Sequence, residues 1–176
     1  MIRASLLIFA ANALLWLIQS QLNHYIAPWN VSVFIGGLCV AFASLRLSPR
    51  DGTRALLLTG FWFDAATPVP FGLHVFLFLL AHIIIISLRS RIAREEALVG
   101  LLVAVVVNLA VMIVISAALL HRNPAPLEMW PRLIADSLLS FCVIVLIGPW
   151  AFGLQERLLQ ISGASLRRDP RGGGVI

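Results

Sequence analysis

Long apolar runs broken by short polar connections dominate the chain. They predict six membrane-spanning helices, at about Ala4–Tyr25, Val31–Leu45, Arg54–Ala66, Gly72–Leu88, Ala97–Leu120 and Arg132–Gly153. A bilayer core of about 30 Å takes about 20 apolar residues in helical form, so the second and third runs are short. Ser48-Pro49-Arg50-Asp51 lengthens the third: Ser48 reads as an N-cap, Pro49 as the first helical residue and Asp51 as a first-turn acid. A helix from Pro49 to Ala66 would cover about 27 Å. No long alternating pattern supports a β-barrel.

Composition sharpens this picture. The 176 residues are 60% hydrophobic and 12% charged, with a mean hydropathy of +0.97, whereas a soluble domain carries about 25% charged residues. The expected fold class is therefore all-α, a polytopic membrane protein with six transmembrane helices. A net charge of +5 and a pI near 11 would suggest nucleic acid for a soluble chain. Here the arginines lie in short connections, so topology accounts for them and no nucleic-acid partner is expected. Arg3, Arg46, Arg50, Arg54, Arg89, Arg91, Arg94, Arg157, Arg167, Arg168 and Arg171 fall on one side of the predicted bundle, and only Arg122 and Arg132 on the other. By the positive-inside rule both termini are cytoplasmic.

Residues 1–155 then form the transmembrane domain and 156–176 a basic cytoplasmic tail, partly disordered. The N-terminal apolar stretch passes Gln19 without a small-residue cleavage site and is expected to stay as the first helix. Cys39 and Cys142 both fall inside apolar runs, where small buried hydrophobes are the economical account.

Chemistry concentrates in a few intramembrane polar residues. Asp64 follows an apolar helix and precedes a turn holding Pro68, Pro70 and Gly72, after which His74 enters the next helix. A carboxylate at mid-helix costs about 2.5–3.5 kcal/mol on insertion scales, so it must face protein, water or a partner. A tight hairpin can bring Asp64 to His74. A hydrogen bond or ion pair locking the hairpin is the plainer account, and a partner- or ligand-facing site is the alternative. Two such groups do not make a metal site.

Ser5, Asn12 and Gln19 repeat at sevens in the first helix, with Asn23 extending the row. Such a stripe faces other helices, or lines a polar cavity. Asn108 reads as interhelical glue, His82 as a packed histidine, and Gly36-Gly37 as a point of close helix approach. Asp136 lies one turn after Arg132 and predicts an Arg132–Asp136 pair. Pro149 is expected to kink or end the last helix. No zinc-protease, hydrolase-elbow or nucleotide-loop motif is present, so neither an enzyme, a metal nor a cofactor is expected.

Gly60, Asp64 four residues on, and Gly72 eight residues further, leading into Leu73, His74 and a Val/Phe/Leu run in the third of six short spans, resemble the MreD family of bacterial rod shape-determining proteins. The stretch from Ile147-Gly148-Pro149-Trp150 to Arg157 is similar to that family's last helix and basic end. This resemblance implies a non-enzymatic subunit of the cell-elongation machinery for peptidoglycan in the bacterial cytoplasmic (inner) membrane. Its implied partners are an MreC-like protein, an MreB-like filament, a RodA-type glycosyltransferase and a class B penicillin-binding protein. The family is also similar in fold to vitamin-binding subunits of membrane transporters. That likeness supplies a second expectation, a six-helix cavity taking a small molecule, with the polar stripe as its lining.

Overall fold

The computed structural model describes residues 2–89, 97–120 and 130–161, and among these every regular element is helical. Six α-helices follow in order: α1 (Ile2–Ile26), α2 (Gly36–Arg46), α3 (Pro49–Ala66), α4 (Leu73–Leu88), α5 (Ala97–Leu120) and α6 (Trp130–Ile161). A 3-10 turn at Ala27–Trp29 closes α1 and ends on Asn30 in the left-handed region at φ 59°. Residues from 162 onward lie outside the described part, as do Arg91, Arg94 and Arg122, so the expectations for the tail and those connections are not addressed. α6 continues six residues past the expected boundary at 155.

Three segments, Arg3–Trp29, Leu98–Leu119 and Trp130–Ile161, are long and apolar enough to cross a membrane, and α2 and α4 are shorter apolar helices. Their solvent is written in their surfaces. Phe76, Ile83, Leu98, Leu102 and Leu146 point outward at 62–81% exposure, while Asn12, Ser44, Ser140 and Gln155 are buried at 0–1%. Polar inside and apolar outside is the pattern that lipid, not water, selects. The chain has the character of an integral membrane protein.

α3 starts where the sequence predicted. Ser48 Oγ accepts from the Asp51 N–H at 3.2 Å and donates to Asp51 Oδ2 at 2.8 Å, a reciprocal cap for two otherwise unmet groups. Pro149 does not end α6, which runs through it to Ile161. Proline removes its own N–H bond from the ladder and crowds the carbonyl one turn earlier, while beside it Gly148 lets Leu101 come close and Ala151 is buried in the core.

The second predicted span requires correction. Only Gly36–Arg46 is helical; Val31–Ile35 has no regular structure, and Ile35 sits at φ −122° and ψ 17°. The alternation of Val31, Val33 and Ile35, three β-branched residues, and the paired glycines after them favour that break. The eleven helical residues cover about 17 Å, and the five residues before them are non-helical. From Gly36 to Leu45 every residue of α2 is buried. It is the central rod, touched by α3, α4, α5 and α6, while α1 packs on α3 and α6.

Candidate functional site

Two buried carboxylates organise the irregular backbone between helices. The first is Asp64, 4% exposed near the end of α3. Its Oδ1 accepts the His74 N–H at 2.9 Å, and its Oδ2 accepts those of Gly72 at 3.0 Å and Val75 at 3.2 Å. His74 Nδ1 lies 2.9 Å from the same Oδ1 and, facing a carboxylate, is the protonated ring nitrogen that donates.

The reason is visible at the start of α4. Its N-cap is Gly72, at φ 94°, a conformation that glycine adopts without strain but that leaves no side chain to satisfy the first turn. Asp64 supplies that missing cap from the neighbouring helix and places its negative charge at the positive end of α4.

Gly60 completes the arrangement one turn earlier on α3. A Cβ there would lie 2.7 Å from Val75 Cα, so only glycine lets the two backbones come this close. The spacing from Gly60 to Asp64 to Gly72 thus has a physical content: approach, cap and turn. Pro68 and Pro70 fall within the exposed to half-buried connection between the helices. The Leu73 N–H donates to the Pro70 carbonyl at 3.1 Å.

The second carboxylate is Asp136 on α6, 6% exposed. Its Oδ1 accepts the Ser32 N–H at 2.7 Å and its Oδ2 the Ser32 hydroxyl at 2.9 Å. Arg132, the partner expected from sequence, is 3.9 Å away and half exposed, so it is a weak rim ion pair. The arginine side chain stays half exposed while the aspartate turns inward to the Ser32 backbone and hydroxyl.

That backbone is the non-helical segment 31–35, and most of its N–H groups find side-chain acceptors. Asn23 exchanges two hydrogen bonds with Val33, at 2.7 and 2.9 Å. Ser140 Oγ accepts the Phe34 N–H at 2.9 Å, and Gln19 Oε1 that of Ile35 at 3.1 Å. Asn108 accepts the Gly37 N–H at 3.0 Å and donates to the Phe34 carbonyl at 2.8 Å. Side chains from α1, α5 and α6 thus replace the ladder that a helix would have supplied.

Phe34 joins the two centres: its ring packs on Phe63 and His74 at centroid distances of 5.9 and 6.0 Å, while its main chain belongs to the second set. Deeper in the bundle Asn12 donates to Thr59 Oγ1 at 3.1 Å and accepts from Gln155 at 2.9 Å, tying α1 to α3 and α6. Ser5 donates to the Asp51 carbonyl at 3.1 Å. The heptad row of α1 therefore faces other protein at every step.

At the other end, α4 clamps the α2–α3 corner. His82 Nε2 lies 3.3 Å from the Pro49 carbonyl, which makes Nε2–H the donor, and Ser44 Oγ meets Nδ1 at 2.8 Å. Gly52 leaves room for that ring, since a Cβ there would fall 2.5 Å from His82 Cε1. Arg89 donates to the Leu47 carbonyl at 2.9 Å and to that of Ser44 at 3.4 Å, a cation at the C-terminal end of α2. Arg46 pairs with Glu156 at 3.0 Å.

The sequence singled out Asp64, Gly72, His74, Asn12, Gln19, Asn108 and Asp136, and the structure gives each a protein partner. It missed Ser32, Gln155 and Arg89 as members of these sets. Ser140, one turn after Asp136, was the available signal for the α6 face; nothing local marks Ser32. Among the described residues no three His, Cys, Asp or Glu side chains form a possible metal site. Comparison with protein-family models, with curated proteins and with solved structures gave no match to this chain.

Proposed function

We propose that this chain is a non-enzymatic, multi-pass subunit of the bacterial inner membrane that works in the cell-elongation machinery for peptidoglycan, as the resemblance to the MreD family implies. On this reading it crosses the bilayer six times with both termini in the cytoplasm. The one-sided arginines support the orientation.

The observation that carries the proposal is the α3–α4 hairpin, in which Gly60, Asp64 and Gly72 each perform a distinct structural task. A motif whose residues fix backbone geometry, with no group left over for chemistry, suits a scaffold that presents a rigid hairpin to other membrane proteins. The partners would be an MreC-like protein, a RodA-type glycosyltransferase and a class B penicillin-binding protein, with an MreB-like filament on the cytoplasmic side. The vitamin-transport alternative drew on the polar stripe as a cavity lining. Asn12, Gln19, Asn108 and Asp136 instead direct their hydrogen bonds to the protein itself, which favours the scaffold.

Affinity purification of the full chain from its own membranes in mild detergent tests this. Enrichment of the MreC-like protein and of the synthase pair is the expected result. Recovery of the folded chain without any of them, or with a tightly bound vitamin instead, would sink the proposal.

A further inference from the structure

The non-helical segment bears on how the protein reaches its final topology. In lipid, each backbone N–H and C=O must find a partner within the protein. A helix brings its own partners; Val31–Ile35 brings almost none. The partners already synthesised when this segment emerges are Gln19 and Asn23, which serve Ile35 and Val33. Those for Ser32, Phe34 and Gly37 lie on α5 and α6, between 71 and 106 residues further along the chain. α2 alone, about 17 Å long, falls short of a bilayer core of about 30 Å. Its Gly36-Gly37 start also cannot close on lipid as it closes on α5, where a Cβ at Gly37 would lie 2.5 Å from the Asn108 nitrogen.

We infer that Val31–Arg46 is a conditional span, which holds its transmembrane position only when Asn108 of α5 and Asp136 and Ser140 of α6 are in place to receive its backbone. The last helices then lock a crossing that the first half of the chain cannot keep by itself. Until they do, the α2–α3 corner around Arg50 samples both faces of the membrane. Phe34, with its main chain held by α5 and α6 and its ring on Phe63 and His74, transmits completion of that lock to the α3–α4 hairpin. This inference rests on the six-span orientation proposed above.

Single cysteines in the full-length chain test both points separately. In a Cys39→Ala, Cys142→Ser background, Arg50→Cys reports the α2–α3 corner and Phe71→Cys, 70% exposed, the α3–α4 turn. Intact spheroplasts receive a membrane-impermeant maleimide within a short pulse of synthesis, and labelling is normalised to that after detergent. The parent is expected to label at Phe71→Cys and to be protected at Arg50→Cys; the reverse pattern overturns the orientation, and with it the inference. Adding Asn108→Leu and Asp136→Leu together raises Arg50→Cys labelling about fivefold or more, the shift that losing a marginal stabilisation produces. The milder Ser140→Ala gives a smaller rise. Asp64→Asn, which weakens the hairpin and leaves the lock intact, gives none. With the parent pattern correct, an unchanged signal in the double variant overturns the conditional span while leaving the orientation standing. An equal rise with Asp64→Asn also overturns it, since general loosening would then explain the result.

Discussion

Asp64 and Asp136 are 4% and 6% exposed, and each accepts hydrogen bonds from backbone N–H groups outside its own helix. Asp64 serves residues eight to eleven positions on, across one tight turn. Asp136 serves a residue 104 positions away. The nearer carboxylate caps a helix that would form anyway and sets its angle; the farther one helps hold a stretch that has no regular structure to fall back on. Similar chemistry is therefore local and self-sufficient in one region, and global and shared in the other. In the first, one side chain carries most of the load. In the second, five side chains on three helices divide it.

The strongest way to break this comparison is at the concentrated node. Asp64→Ala leaves the N–H groups of Gly72, His74 and Val75 and the ring of His74 without their acceptor in a buried site. We expect a loss of about 3–5 kcal/mol, in the range for removing one partner of a buried polar pair, read as a lower midpoint in denaturant titration of the detergent-solubilised protein. A loss under about 1 kcal/mol would show that water or a second acceptor takes over the cap.

Asp136→Ala should cost less, about 1–3 kcal/mol, because Asn23, Ser140, Gln19 and Asn108 still hold the rest of the segment. Hydrogen exchange sharpens the contrast: the Ser32 and Phe34 amides should exchange faster in this variant while those of His74 and Val75 keep their protection. Faster exchange at both places would mean that the two regions are one cooperative unit. The smallest effect is expected from Arg132→Ala, under about 0.5 kcal/mol, since its side chain is 45% exposed and its Nε is 3.9 Å from Asp136. A loss as large as that of Asp136→Ala would restore the pair that the sequence suggested.

The same contrast explains what could be read in advance. The approach of Asp64 to His74 was legible because two prolines and a glycine within a short turn leave the chain few alternatives. The start of α3 was legible for the same reason, since Ser48, Pro49 and Asp51 are a local signal. The all-helical class followed from hydropathy. The non-helical segment did not, because hydropathy measures whether residues tolerate lipid and says nothing of whether a helix ladder is intact. Asp136 was assigned to Arg132 because one-turn neighbours are the only partners periodicity can propose; Ser32 enters only through the tertiary fold. The heptad row of α1 announced that it would be covered but not by what.

Gly37 and Gly60 set the mechanics of the bundle. At Gly37 the backbone of α2 rests on that of α5, and at Gly60 the backbone of α3 rests on that of α4 beside Val75. Displacing either pair along its axis by one turn, about 5.4 Å, brings a side-chain-bearing position into the place that only glycine fits. Piston motion is thereby barred at two contacts, so a force applied to the hairpin from one side of the membrane would be carried as a tilt of coupled helix pairs, in the manner of a lever.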